Sequence, residues 1–214
     1  MKKNLTEIVF ILDRSGSMAG LESDTIGGYN GFLEKQRKEE GEAYVSTVLF
    51  DNRTEVIHDR ADISTVKPIT DKEYYVRGCT ALLDAVGGAI RHISTIHKYA
   101  RKEDVPEKTI FVIITDGMEN ASRQYSYQDV KKMIGKMKEK YDWEFLFLGA
   151  NIDAAAEASR FGINADRAVT FTNDAEGVAL NYQEVSETVT RFRAGKAMGG
   201  WKDRIEKDHL FRKR

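Results

Sequence analysis

The chain has 214 residues, enough for one α/β domain to bury most of its apolar surface on folding. Hydrophobic residues make up 41% and charged residues 31%, with only two prolines, which excludes a disordered or fibrous protein. The formal net charge of -1 argues against a nucleic-acid partner, because a phosphate-binding face needs an excess of Lys and Arg. No stretch approaches the roughly 20 apolar residues needed to cross a bilayer, so we expect no membrane partner.

A single cysteine, Cys79, excludes an intramolecular disulfide and a thiolate metal cage, and it fits a reducing compartment. The N-terminal run MKKNLTEIVFIL resembles a signal peptide in its two lysines and apolar stretch. However, Glu7 interrupts it, and Asp13 follows where a small-residue cleavage site would be. We therefore expect a first β-strand at this point and a cytoplasmic protein.

Buried strands and amphipathic helices alternate along the chain. Continuous apolar runs at residues 7–12, 109–115 and 144–150 predict strands covered on both faces, and a short strand is predicted at 169–171. Ser126 and Asp129 have the spacing of a capping box at a helix start. Helices are predicted where apolar residues recur at helical spacing, within residues 19–40, 82–93, 127–137, 153–161 and 182–192.

Residues 43–50 and 54–59 flank the turn-forming Asp51 and Asn52, which predicts an antiparallel hairpin with one strand at a sheet edge. The whole pattern is typical of a doubly wound, Rossmann-like α/β fold. We expect a mostly parallel central sheet with one antiparallel edge strand and helices on both faces. Residues 1–195 are expected to form a single domain. Residues 196–214 are expected to form a charged, solvated tail, ordered only if Trp201 or Phe211 docks.

Oxygen-bearing side chains follow several strands, at the sheet edge where ligands bind in such folds. Asp13, Ser15 and Ser17 follow the first strand, Thr80 precedes a helix, and Asp116 follows the strand at 109–115. Two ionised carboxylates so close would repel each other unless a cation or a shared proton compensates. A divalent cation is the simplest resolution.

This pattern, Asp-x-Ser-x-Ser with a later Thr and a later Thr-Asp-Gly, resembles the metal-ion-dependent adhesion site (MIDAS) of von Willebrand factor type A domains, over about residues 5–195. The resemblance implies that Ser15 and Ser17 bind the metal directly and that Asp13 anchors it largely through water. Thr80 and Asp116 would exchange direct and water-mediated roles as a ligand arrives. A carboxylate of the partner, from an Asp, a Glu or a chain terminus, would complete the coordination.

Few carboxylates, several hydroxyls and an open position suit Mg²⁺ or Mn²⁺ better than Ca²⁺ or Zn²⁺. No residue is left over as a nucleophile or tuned base, so we expect a recognition or scaffold domain and no enzyme, like the free-standing intracellular bacterial members of the family. The alternative is a Mg²⁺-dependent hydrolase or phosphoryl-transfer enzyme built on Asp13. That chemistry generally uses a second carboxylate where this chain has Ser15, and the loop lacks the lysine of a phosphate-binding loop.

The five candidate ligands also have structural interpretations: Asp13 as a strand-end cap, Ser15 and Ser17 as turn formers, Thr80 as a helix N-cap and Asp116 in a turn. Their occurrence together in the right order favours the metal site.

Neighbouring residues are interpreted more modestly. Cys79 is expected to be a small, partly buried packing residue. Glu119 and Asn120 are expected to be solvated loop residues that at most contact a water near the ion. Asn151 and Asp153 are expected on the rim, where Asp153 is equally placed to cap the following helix. The histidines show no shared ligand spacing and are expected to be surface or packing residues: His58, His92, His97 and His209.

Overall fold

A computed structural model describes residues 1–212 of the chain. Its centre is a six-stranded sheet in the order β3-β2-β1-β4-β5-β6, in which every neighbouring pair is parallel except β2 and β3. The fold class predicted from the sequence is confirmed. The strands are β1 (Lys2–Asp13), β2 (Glu42–Phe50), β3 (Thr54–Asp62), β4 (Pro106–Thr115), β5 (Glu144–Ala150) and β6 (Ala168–Phe171).

Helices cover both faces of the sheet. The buried side chains of α1, α5 and α6 pack on one face, and those of α2, α3 and α4 pack on the other. The predicted capping box of Ser126 and Asp129 is present at the start of α3. The helices are α1 (Glu22–Arg37), α2 (Leu82–Tyr99), α3 (Tyr127–Tyr141), α4 (Ala154–Phe161), α5 (Ala175–Arg193) and α6 (Asp203–Arg212).

β1 is central and buried on both sides. Ile8, Phe10 and Leu12 face the core beneath α1 and α5, whereas Val9 and Ile11 face the core beneath α2. Because successive strand residues point to opposite faces, only a continuous apolar run fills such a position. The two strands beside it, β2 and β4, both run parallel to β1, so their carboxyl ends meet at one edge with that of β1.

The C-terminal segment corrects the expectation of a solvated tail, which is wrong for residues 196–212. The helix α6 was not predicted, and it packs against β6 and α5. Trp201 is only 2% exposed, and its indole N–H donates to the carbonyl oxygen of Asp166 at 2.8 Å. The segment was expected to be ordered only if Trp201 or Phe211 docks. Trp201 does so, whereas Phe211 is 79% exposed. Residues 213–214 of the predicted tail lie outside the described residues.

Candidate metal site

The carboxylate of Asp13 ends β1 and is held from two sides. Its Oδ1 accepts a hydrogen bond from the backbone N–H of Ser15 at 2.7 Å, and its Oδ2 accepts one from the hydroxyl of Thr115 at 2.6 Å. Thr115 is the last residue of the neighbouring strand β4. Only 1% of Asp13 is exposed, so the chain places a buried carboxylate at the carboxyl edge of its two central strands.

Three hydroxyls form a chain of hydrogen bonds that ends on the second carboxylate. Thr80 Oγ1 donates to Ser15 Oγ at 3.1 Å, and Ser17 Oγ donates to Asp116 Oδ1 at 2.6 Å. Ser15 Oγ and Ser17 Oγ are 3.1 Å apart. Since Ser17 gives its one proton to Asp116, Ser15 must be the donor in that pair. The structure thus brings Ser15, Ser17, Thr80 and Asp116 into direct contact, with Asp13 bonded to the backbone of Ser15.

Backbone hydrogen bonds hold the loop before α2 against this first loop. The N–H of Gly16 donates to the carbonyl oxygen of Gly78 at 3.1 Å, which brings Thr80 beside Ser15. Asn120 pairs with both backbone groups of Thr80: its Oδ1 accepts from the Thr80 N–H at 2.9 Å, and its own N–H donates to the Thr80 carbonyl oxygen at 3.0 Å. The backbone around Thr80 is therefore positioned by two other loops, the one after β1 and the one after β4.

Burial disfavours the ionised form of both carboxylates of the site. It raises the pKa of Asp13 to about 6, against the hydrogen bonds from Thr115 and Ser15, and the nearby charge of Asp116 adds to the rise. Burial also raises the pKa of Asp116, although the hydrogen bonds from Ser17 and Asn173 oppose the shift. A bound cation would favour the ionised form of both groups.

The geometry fits a small divalent cation. Octahedral ligands about 2.1 Å from Mg²⁺ lie about 3.0 Å from one another, and Ser15 Oγ is 3.1 Å from both Ser17 Oγ and Thr80 Oγ1. A Cβ at Gly117 would lie 3.6 Å from the hydroxyls of Ser17 and Thr80, so glycine keeps these oxygens uncovered. Within residues 1–212, no group of three or more His, Cys, Asp and Glu is arranged to hold a metal. A site here therefore depends on hydroxyl oxygens.

Two asparagines beyond the predicted ligands contact Asp116. Asn173 Nδ2 donates to Asp116 Oδ2 at 3.3 Å, and Asn151 Nδ2 lies 3.4 Å from the Asp116 carbonyl oxygen. Sequence reasoning placed Asn151 on the rim but missed Asn173. The signal was available, because Asn173 follows the strand β6 as Asp116 follows β4, and both strand ends lie at the same edge.

Several modest expectations are corrected by the structure. Cys79 is exposed and not partly buried. Glu119 is no solvated loop residue, since its carboxylate accepts from the backbone N–H of Leu83 at 2.9 Å near the start of α2. Asn120 is an exposed loop residue, as expected, and it also pairs with the backbone of Thr80 as described. The N-cap of α2 is Ala81, so the alternative of Thr80 as that N-cap is also wrong.

Other expectations are confirmed. Asp153 caps α4 by accepting from the N–H of Ala156 at 3.0 Å. The histidines make separate contacts with other parts of the chain: His58 with Thr47, His92 with Asp59, His97 with Glu7 and His209 with Thr172. Within the described part of the chain, no helix has both the length and the apolar character needed to span a membrane.

No protein-family model matches the sequence, and no curated protein matches it. Solved structures do match. Proximal thread matrix protein 1 from the mussel byssus, with a zinc-occupied MIDAS motif, is 13% identical with a TM-score of 0.59, over 89% of this chain and 47% of that one. A von Willebrand factor type A protein from Catenulispora acidiphila is 15% identical with a TM-score of 0.58, over 88% and 43%. The pilus adhesin SpaC from Lactobacillus rhamnosus GG is 11% identical with a TM-score of 0.64, over 90% and 30%.

This chain spans less than half the length of each of these three solved chains. At such low identities the likeness concerns the fold. The sheet described above, mostly parallel with one antiparallel edge strand and helices on both faces, agrees with it. The chain has the fold of von Willebrand factor type A domains.

Proposed function

We propose that the chain is a recognition domain that holds one divalent cation, Mg²⁺ or Mn²⁺, and uses it to bind a protein partner through a carboxylate. The observation that carries the proposal is the chain of hydroxyls from Thr80 through Ser15 and Ser17 to Asp116, beside the buried Asp13. All five residues offer oxygen donors, which these cations prefer. Zinc at the MIDAS motif of the mussel protein supports a divalent cation in this fold.

Each residue has a separate role in the proposal. Ser15 and Ser17 would hold the cation through hydroxyl lone pairs. Asp13 would act through water, because both of its oxygens already accept hydrogen bonds from the chain. Asp116 would stay outside the coordination shell, with Ser17 on one oxygen and Asn173 on the other. When bound, the cation would supply a coordination position for an incoming oxygen ligand. Thr80 lies beside Ser15, where its hydroxyl could also coordinate the cation.

The partner is proposed to present an Asp, a Glu or a terminal carboxylate. Because Asp116 would not coordinate the cation directly, few negatively charged protein groups would be among its direct ligands. An anionic oxygen therefore gains more from replacing a water than a neutral amide does. A net charge of -1 supports a protein partner over nucleic acid or an anionic membrane. The single exposed thiol of Cys79 supports a reducing, cytoplasmic location.

The proposal assigns no catalytic residue. In an aspartyl-phosphate enzyme, Asp13 would have to attack as a nucleophile. Here its two oxygens are engaged by Ser15 and Thr115, and the residue is almost fully buried. A screen for phosphatase and nucleotidase activity with Mg²⁺ tests the hydrolase alternative. Activity that disappears in the Asp13→Asn variant would establish catalysis and overturn the assignment as a binding domain.

Titration calorimetry with Mg²⁺ and with Mn²⁺ tests the metal site directly. We expect one cation per chain for the wild type, and a loss of affinity of at least about tenfold for Ser15→Ala, since a direct ligand is removed. Ser94→Ala is the matched control, because the Ser94 hydroxyl donates to the carbonyl oxygen of Arg91 in the exposed part of α2, away from the proposed site. Equal affinities for the two variants would show that the site is misassigned.

Selection from a display library of short random peptides, with Mg²⁺ present and elution by chelator, tests the proposed ligand. We expect the eluted peptides to share an acidic residue, and its replacement by the matching amide to abolish binding. Selected peptides that lack acidic residues, or that stay bound in chelator, would contradict the proposed ligand chemistry.

A further inference from the structure

An open cavity of about 310 Å³ lies beside the proposed metal site, between the β2–β3 turn and the segment before α2. One wall adjoins the metal loop, because the carbonyl oxygen of Gly78 accepts from the N–H of Gly16, which stands between two proposed ligands. Neither the sequence motif nor the proposed function uses this cavity. It is lined by Asp51, Asn52, Arg53, Arg77 and Gly78.

The guanidinium of Arg77 is fixed at the wall of this cavity. Its Nε donates to Asp51 at 2.8 Å, its Nη1 donates to the hydroxyl of Tyr75 at 3.0 Å, and it lies 5.2 Å from the centre of the Tyr75 ring. The side chain is still 45% exposed, and within residues 1–212 its Nη2 has no hydrogen-bond partner. A donor held in this way loses little conformational entropy when it binds an anion.

Positive charge is in excess around the cavity. The fully buried Arg14 donates to Asp51 at 3.0 Å and to Glu55 at 2.7 Å. Asp51 is thereby shared between Arg14 and Arg77. Burial opposes ionisation of Asp51, but the hydrogen bonds from Arg77, the Arg53 N–H and Arg14 outweigh it and hold its pKa below the ordinary value. With Arg53 included, three arginines face two carboxylates, and one positive charge is left over.

Arg53 is the third arginine of this cluster. Its backbone closes the β2–β3 turn, where its N–H donates to Asp51 Oδ1 at 3.0 Å. Its exposed side chain makes no hydrogen bond or ion pair with the rest of residues 1–212. Arg53 and Arg77 therefore offer several unused N–H donors to the same cavity.

We infer that the Arg53–Arg77 cavity is an anion subsite that binds a second carboxylate of the partner while the first one meets the cation. The inference rests on the proposed function, and it narrows the partner to a segment with two acidic residues. Arginine pairs well with carboxylates because its planar guanidinium donates along two parallel directions. The cation and the two arginines would attract such a segment together.

The test uses a peptide from the chelator-eluted selection described above. Its affinity for the Mg²⁺-loaded chain is measured by calorimetry, and each acidic residue is replaced in turn by the matching amide. We expect one replacement to abolish binding. A second replacement should weaken binding about fivefold to tenfold, as the loss of one typical, partly exposed hydrogen bond does.

Arg53→Ala should lower the affinity for the diacidic peptide by about the same factor. It should not change the affinity for the peptide that lacks the second carboxylate. A double-mutant cycle measures this coupling. Arg53→Glu should weaken the diacidic peptide further. Arg123→Ala removes one exposed arginine from the loop after β4 and is the matched control; it should change both affinities less than about twofold.

The outcomes separate the two proposals. The subsite would be overturned if the peptides need only one acidic residue, or if replacing the second acidic residue has the same effect in Arg53→Ala as in the wild type. Either result would leave the metal-dependent carboxylate binding intact. Absence of any chelator-sensitive acidic peptide would overturn both.

Discussion

At the scale of single residues, the hydroxyl protons of the site all point along one path. Thr80 donates to Ser15, Ser15 to Ser17, and Ser17 to Asp116. Each hydroxyl oxygen has two lone pairs, and Ser15 and Ser17 use only one of them as acceptors within this path. The remaining lone pairs are free for a cation without reversal of any hydrogen bond. The site is thus organised before a ligand arrives.

Asp13 gives the metal-free chain an unusual pH dependence. Its pKa of about 6 in the fold exceeds the ordinary value of 3.8, so the folded chain binds this proton more readily than the unfolded chain. Folding is therefore favoured as pH falls through about 6, and the effect is lost as pH rises toward 7. Between pH 7 and pH 5, we expect the free energy of unfolding of the wild type to gain about 1 kcal/mol relative to Asp13→Asn.

Urea denaturation in the presence of chelator measures this difference. The comparison with Asp13→Asn removes the contribution of groups that titrate in both proteins, among them His58, whose pKa is lowered by burial. Parallel pH profiles for the two proteins would show that the Asp13 carboxylate is not destabilised in the fold.

Asp116 should link cation binding to stability. A ligand that binds only the native state adds about 2.7 kcal/mol when its concentration is a hundredfold above its dissociation constant. We expect Asp116→Ala to lose this gain, because the second carboxylate of the site is gone. Without metal, the variant should be as stable as the wild type or slightly more stable, since burial disfavours the ionised Asp116. Melting temperatures with millimolar Mg²⁺ and with chelator measure both effects, and an equal response of the two proteins would contradict the assignment.

At the scale of secondary-structure elements, the helix α1 packs tightly on α5 at one glycine. A Cβ at Gly28 would lie 2.2 Å from Cδ2 of Tyr182, whereas a Cβ at Gly31 would meet nothing within 4 Å. Both glycines lie inside α1. The contact explains how two glycines in one helix differ in function: one permits helix packing, and the other is solvent exposed.

The two glycines give a matched pair of substitutions. Gly28→Ala should destabilise the chain by about 1 to 3 kcal/mol, because the ring of Tyr182 has to move in a packed core. Gly31→Ala should stabilise it by about 0.5 to 1 kcal/mol through the higher helix propensity of alanine. Urea denaturation of both variants provides the measurement. A stabilising Gly28→Ala would show that α1 and α5 are not packed as described.

At the scale of the whole molecule, the described C-terminal residues belong to the packed body. Met198, Trp201 and Ile205 are buried in the same core cluster as the sheet residues beneath α1 and α5. At the other end of α6, Arg212 pairs with Asp174 at 2.7 Å. The helix therefore runs alongside β6 from its start to the loop that carries Asn173.

Trp201→Ala should cost about 3 to 5 kcal/mol of unfolding free energy, as the truncation of a large buried aromatic side chain does. Phe211→Ala, in the same C-terminal segment but 79% exposed, should change stability by less than about 0.5 kcal/mol. Chemical denaturation compares the two. If Trp201→Ala is as stable as Phe211→Ala, the segment is not part of the folded core.

Much of the architecture follows from local patterns in the sequence. The largely apolar runs at residues 7–12, 109–115 and 144–150 became strands β1, β4 and β5, because a strand buried on both faces needs apolar side chains at nearly every position. The hairpin around Asp51 and the capping box at Ser126 were equally local signals. The placement of Asp13 and Asp116 at one edge of the sheet was also predictable, since residues that follow parallel strands meet there.

Other features depend on residues distant in sequence, and only the tertiary structure decided them. Asn173 donates to Asp116 from 57 positions away in the sequence, and the buried Trp201 donates its indole N–H to the carbonyl oxygen of Asp166. Arg14 lies within the recognised motif, yet its burial depends on Asp51 and Glu55 in the β2–β3 hairpin. Local periodicity records which face of an element is apolar, but it carries no information on which distant polar group completes a hydrogen bond.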